Sequence, residues 1–197
     1  MKLLLISLLA AVVSFFWGFV SWMVLDWHET GIRDFKDEAA VAQVIKDNAT
    51  HGKSLYMLPY QRRPLSIASD EEKAQAQADH EKAAAEGPYM YAIVRPGKHE
   101  GSMYENMLMG FGRSFIACLL VGALLSQTVL AYIGRVCFVA AAGVFAGVAV
   151  EAQQWIWFEL PLRDLIVNMS DHCIEWTLVG FVMGAFLGRE PTDRDYK

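Results

Sequence analysis

The chain has 197 residues, 54% of them hydrophobic and only 20% charged, with a formal net charge of −5. Soluble domains sit nearer a quarter charged, so this balance points to a membrane. A mildly acidic chain with no clustered basic stripe argues against nucleic acid as a partner.

Charge is unevenly placed. Between Asp26 and Glu105 lie fourteen acids and ten bases, which leaves eight and seven for everything else. A polar block is therefore set between strongly apolar stretches. Cys118, Cys137 and Cys173 all fall in or beside those apolar stretches. No disulfide framework is on offer, and they read as small packing residues.

Leu3 to Leu25 form an apolar run preceded by Lys2. That is enough to cross a hydrocarbon core, which needs about 20 residues. The run ends in Val24-Leu25-Asp26-Trp27, a poor cleavage site, so residues 1–26 are expected to be a retained signal-anchor helix. Trp17, Trp22 and Trp27 gather toward its end, where the outer membrane interface favours indoles.

The polar block, 27–106, is expected to form a small extracytoplasmic α/β domain. Phe35 to Ala49 reads as a helix with Val41, Val44, Ile45 and Ala49 near one face. Leu55 to Leu58, closed by Pro59, and Tyr89 to Val94, closed by Pro96-Gly97, read as strands. Ser69 with Glu72 makes a capping box that opens an alanine-rich, solvated helix, and Gly87 ends it. The order helix, strand, helix, strand predicts that the two strands pair. The available core is thin: Val41, Val44, Ile45, Leu55, Met57, Tyr89, Tyr91 and Ile93. A unit this small is marginal alone, so it is expected to lean on the membrane helices or on a partner.

Three apolar segments follow within 107–188, from about Met107 to Val129, Ile133 to Phe158 and Asp171 to Gly188, and 189–197 forms a tail. Leu160 to Ile166, between the last two, reads as a short amphipathic turn in the interface. The expected fold is an all-α membrane protein: a four-helix transmembrane bundle with a small extracytoplasmic α/β insertion between helices 1 and 2. Lys2, Arg135, Arg189, Arg194 and Lys197 fall on one set of connections, and Arg163 alone on the short opposite loop. The excess of bases on cytoplasmic connections then places both termini in the cytoplasm.

Each apolar segment carries small residues at four-residue spacing: Ala10-Ser14-Gly18, Ser114-Cys118-Gly122-Ser126, Gly143-Gly147 and Gly180-Gly184-Gly188. Small residues let helices approach closely in lipid. These ladders predict a compact bundle within one chain; the sharper alternative is that the three-glycine ladder faces another protein.

The ionisable exceptions are Arg113, Glu151 and Glu175, which are expected to converge toward the outer side because isolated charges at membrane depth are costly. Glu151 is the expected partner of Arg113, since it follows Gly147 on the ladder face. Gln154, Arg163, Asp171 and His172 complete a candidate intramembrane polar cluster. The first reading of this cluster is an ion-pair network, the second a polar pocket for an ion, proton or small ligand, the third a catalytic centre. The stretch Met169 to Glu175 holds acid, imidazole, thiol and carboxylate, but no zinc, nucleophile-elbow or phosphate-loop motif occurs. Ser170 and Asp171 read more simply as a helix start. His99 with Met103, Met107 and Met109 is a weak set for a soft metal, and no cofactor is implied.

In layout the chain is similar to bacterial inner-membrane proteins with one span, an extracytoplasmic segment and three further spans. More narrowly, Glu151-x-x-Gln154, Pro161-x-Arg163, Asp171 and the Gly180, Gly184 pair resemble the polar signature of VanZ-like membrane proteins, envelope proteins linked to glycopeptide resistance. The Arg-to-Asp gap is longer than in that family, and Glu175 stands where an Asn is expected. The resemblance covers roughly forty residues and implies an outer-side polar site built from Glu151, Gln154, Arg163 and Asp171. The polar block has no counterpart in it. The expected function is a non-enzymatic membrane protein of the bacterial cytoplasmic membrane, an accessory or scaffold component. It would contact lipid and an envelope or membrane protein through the outer domain or the last helix. A small transporter using the Arg/Glu cluster is the alternative, and a membrane-embedded hydrolase centred on His172 and Asp171 a weaker one.

Overall fold

The structure is a computed structural model that describes residues 1–61 and 68–189. The expected tail beyond Arg189, with Arg194 and Lys197, lies outside the described residues. In chain order the elements are α1 (Lys2–Met23), α2 (Glu38–Asn48), β1 (Ser54–Leu58), α3 (Asp70–Glu86), β2 (Met90–Val94), α4 (Met103–Leu125), α5 (Tyr132–Phe158) and α6 (Leu162–Phe186). They divide into a helical unit, Met1–Arg33 with residues from Gly101 onward, and an inserted unit, Asp34–Glu100.

In the helical unit, α1, α4 and α5 are long and apolar enough to cross a membrane. α6 is 25 residues long, but Arg163, Asp164, Asp171, His172 and Glu175 interrupt its apolar run. It begins nine residues before the expected Asp171. Pro161 at its N-cap, φ −55°, is already in a helix-compatible backbone state, and Asp164 in the first turn complements the helix dipole. The expected interfacial turn is therefore the first turn of α6, and Ser170 and Asp171 lie inside the helix, not at its head.

α5 and α6 pack along their length through the glycine ladders. Gly143 lies under the Trp176 side chain, and Gly147 under Met169 and His172. A Cβ at Gly180 would lie 3.0 Å from the Val136 carbonyl oxygen, and one at Gly184 would lie 3.2 Å from Val136 Cγ2. Gly188, at φ +84°, sits against Arg135. The three-glycine ladder thus faces α5, which corrects the idea that it presents the last helix to another protein.

α1 packs against both α4 and α6, whereas α4 meets α5 only sparsely. Ser7, Ala10, Ala11, Ser14 and Ser21 of α1 are buried, as are Ser114, Cys118 and Gly122 of α4. The core joins Ile6, Ala10 and Ala11 to Cys118 and Leu125, to Val139, and to Val179, Met183 and Leu187. Gly122 lies beside Leu3, Ser7 and Leu187, so the start of α1 shares one end of the bundle with the ends of α4 and α6.

That end is tied by Arg135, counted from the sequence only as a topology charge. It is buried, with Nη1 donating to the carbonyls of Gly184 (2.8 Å) and Leu187 (2.9 Å) and Nε to that of Leu130 (2.9 Å). The Gly184 and Leu187 carbonyls lie at the end of α6, where the helix itself cannot satisfy them, and that of Leu130 lies just before α5. A parallel bridge between Val129 and Arg189 closes the same corner, with Leu130 N–H donating to the Arg189 carbonyl at 3.1 Å.

In the inserted unit, Asp37 caps α2 by accepting the Ala40 N–H at 2.9 Å, and the Ser69–Glu72 capping box opens α3. β1 and β2 pair antiparallel, with Leu55 opposite Ile93 and Met57 opposite Tyr91. The expected elements and pairing are present, but the expected core is not. Val44 is 61% exposed, Leu55 55% and Ile93 73%. Ala49 is the only buried side chain among the described residues of this unit. Two strands and two short polar helices hold too little apolar surface to enclose. Residues 27–33, assigned from the sequence to the insertion, belong to the helical unit, because their polar groups bond to α1 and α6.

Candidate functional site: a polar seam between helices

α6 presents two polar stripes at four-residue spacing, Asp171 and Glu175 toward α1, and Asn168 and His172 toward α5. The first stripe organises most of the candidate residues.

Near the middle of the helices, Ser14 Oγ lies 2.5 Å from Glu175 Oε1 and 2.9 Å from Ser114 Oγ. Arg113 Nη2 lies 3.4 Å from Ser114 Oγ and 3.7 Å from Glu175 Oε1. Donor bookkeeping gives the chain a direction. A guanidinium only donates and each hydroxyl has one hydrogen. Arg113 therefore donates to Ser114, Ser114 to Ser14, and Ser14 to the Glu175 carboxylate, which is the terminal acceptor.

The carboxylate beside Arg113 is thus Glu175, not the expected Glu151. Glu151 does follow the Gly143-Gly147 face, but that face meets α6 rather than α4. There Glu151 accepts from Asn168 Nδ2 at 2.8 Å and lies 3.8 Å from His172 Nε2. Arg113 comes ten residues after Met103 and twelve before Leu125, about 15 and 18 Å along the axis at about 1.5 Å per residue. A charge near the centre of a span costs about 2.5–3.5 kcal/mol on insertion scales unless it is met by partners or water. The Glu175 side chain is 10% exposed and that of Arg113 71%.

One turn along, Trp17 Nε1 donates to Asp171 Oδ1 at 2.6 Å, and Asp171 Oδ2 lies 3.6 Å from His28 Nε2. Ser21 Oγ is 3.0 Å from the same His28 nitrogen and accepts from Trp27 Nε1 at 3.0 Å. The Trp22 ring stacks on His28 with centroids 4.1 Å apart. Arg163 donates to the Trp27 carbonyl at 2.6 Å and to the Thr30 hydroxyl, and pairs with Asp164 at 2.9 Å. His28 was absent from the sequence candidates. The tryptophans at positions 17, 22 and 27 were its available signal, since buried indole N–H groups need acceptors nearby.

Ser21, His28 and Asp171 have the composition of a hydrolytic triad, but hydroxyl and carboxylate face the same ring nitrogen. A proton relay needs them on opposite nitrogens. His172 sits beside Glu151 rather than Asp171, and its Nδ1 is buried without a hydrogen-bond partner among the described residues. The Gln154 carbonyl accepts the N–H groups of Glu159 and Leu160 at the end of α5. Arg163 and Asp171 therefore meet on the same Trp27–Thr30 segment, while Glu151 sits apart with Asn168 and His172. A shallow depression lined by Trp155, Ile156, Glu159 and Leu160 includes none of the charged seam. Among the described residues no three His, Cys, Asp or Glu side chains group as a metal site. No family model, curated protein or solved structure matches the chain.

Proposed function

We propose that the chain is a non-enzymatic, multi-pass protein of the bacterial cytoplasmic membrane that acts as an accessory or scaffold component of the envelope. In this reading α1, α4, α5 and α6 all cross, both termini are cytoplasmic, and the inserted unit is held outside. Two features support a crossing α6. Its polar side chains Asn168, Asp171, His172 and Glu175 each have a partner on α1, α5 or the segment after α1, which is how an interrupted span is tolerated in lipid. Its far end is bound to the start of α5 through Arg135.

The observation that carries the reading is the inserted unit without a core. Leu55 and Ile93 stand opposite each other on paired strands and both remain exposed. A two-stranded sheet is at best marginal in water, so a second molecule supplies the missing cover. Hydrogen exchange on the full-length protein tests this. Ser54–Val94 should exchange fast in purified detergent-solubilised protein and become protected in native membranes. Strong, cooperative protection of that segment in the purified chain would overturn the reading.

The Arg113–Glu175 pair at mid-span favours one other reading, a small ion-coupled transporter. Proton or ion flux into proteoliposomes that is lost in Glu175→Gln would replace the scaffold proposal with it.

A further inference from the structure

Arg113 lies at the centre of α4, yet most of its side chain is uncovered. Only Nη2 has partners; Nε and Nη1 have none among the described residues. A guanidinium carries five N–H donors and keeps its charge at all relevant pH, and lipid tails offer no acceptor. The same flank of α4 carries Met109, Ile116 and Leu120, all exposed, on the side away from buried Ser114, Cys118 and Gly122. Half-buried Gly112 lies at the edge of this flank, beyond Ile116, and a Cβ built there meets nothing within 4 Å. Bare backbone at that point lets another helix approach closely.

We propose that this flank of α4 docks a transmembrane helix of a different protein, one that carries an Asp or Glu near its midpoint. Its carboxylate accepts the unused N–H groups of Arg113, while its apolar side chains cover Met109, Ile116 and Leu120. A second copy of this chain does not fit the role. Glu151, Asp171 and Glu175 are each engaged inside their own bundle, and α4 against α4 would bring two Arg113 side chains together. The proposal rests on the accessory-component reading and specifies the chemistry of the partner.

The test uses the full-length protein in phosphatidylcholine vesicles and two synthetic leucine-alanine transmembrane peptides, one with a central Glu and one with a central Gln. Energy transfer should show about tenfold tighter binding of the Glu peptide. That preference should vanish in Arg113→Gln. In Gly112→Leu, whose Cβ meets nothing within 4 Å in the free protein, binding of the Glu peptide should fall about tenfold with thermal unfolding unchanged. Equal affinity for the two peptides overturns the proposal, as does a preference that survives Arg113→Gln or binding that survives Gly112→Leu. In native membranes, a photocrosslinker at Ile116 should capture a transmembrane segment with an Asp or Glu within one turn of its midpoint. Capture confined to lipid or to a second copy of the chain also overturns it. If these fail while the inserted unit is still protected in native membranes, the α4 interface is wrong and the accessory role stands; if both fail, both are wrong.

Discussion

Ser14 of α1 and Glu175 of α6 lie 161 positions apart in the chain and share a hydrogen bond of 2.5 Å, and Ser114 of α4 lies 2.9 Å from the same Ser14 hydroxyl. One oxygen atom thus joins three helices. Ser14→Ala removes both bonds and should destabilise the protein by about 1–2 kcal/mol, above the average of about 0.6 kcal/mol for a single interhelical bond in lipid. Unfolding in mixed micelles of Ser14→Ala, Glu175→Gln and the double variant should give a coupling energy of about 1 kcal/mol. Strict additivity would show that the two side chains do not interact.

Loss of buried Arg135 should be costly, because its guanidinium serves carbonyls from both sides of the α5–α6 contact. Arg135→Leu leaves buried acceptors unmet and should cost about 3 kcal/mol or more. Arg135→Lys should recover less than half of that loss, since a single ammonium cannot reproduce the fork. Full recovery by lysine would mean that charge alone matters at this corner.

Glycines within the ladders should respond with opposite signs. A Cβ at Gly180 would lie 3.0 Å from the Val136 carbonyl oxygen, a backbone atom with little freedom to yield, whereas one at Gly18 meets nothing within 4 Å. Gly180→Ala should destabilise by about 1–3 kcal/mol, and Gly18→Ala should be neutral or stabilise by up to about 1 kcal/mol. Paired thermal denaturation curves in one detergent would show it. Equal losses at both positions would contradict the packing of α5 on α6.

Topology can be read with a membrane-impermeant thiol reagent, after replacing the three native cysteines with alanine. Single cysteines at Thr128 and Arg189 should label from one side, and those at Glu86 and Glu159 from the other. If the Arg189 position labels together with Glu159, α6 does not cross and the four-span arrangement fails.

Much of this architecture was legible in the residues, for reasons that differ between elements. The three apolar helices announce themselves by length, and the Ser69–Glu72 box, the two strands and their pairing follow from local patterns that no later packing overrides. Most of the small-residue ladder positions fall on inner faces of the helices, but Gly18, where a Cβ meets nothing within 4 Å, and exposed Ser126 do not. What could not be read was which inner face meets which. Glu151 was placed on the right stripe of α5, but a one-dimensional pattern does not say that this stripe faces α6, so Arg113 was assigned the wrong carboxylate. The start of α6 was missed because its first turns are amphipathic and its charges resemble a loop. Pro161 followed by Asp164 was the overlooked start signal. His28 escaped because its partner Asp171 lies far along the chain, and a lone histidine after a span carries no local mark.

The partners of α6 also bear on the order in which the chain can be assembled. α1 is the most apolar of the long helices and needs no help to leave water, whereas α6 falls outside the group of helices apolar enough to cross by composition. Ribosomal synthesis delivers Ser14 and Trp17 first and their acceptors Glu175 and Asp171 last. Until α6 is made, Ser14 therefore has only Ser114 of α4 as an interhelical partner, and the Trp17 indole lacks its Asp171 acceptor. If α6 crosses as proposed, it enters as a passenger, joined to α5 by a short connection and received by a helix that arrived long before it. A chain released before Asp171 and Glu175 would leave α1 looking for other acceptors in the membrane, which makes truncation near the C-terminal third more damaging than its modest length suggests.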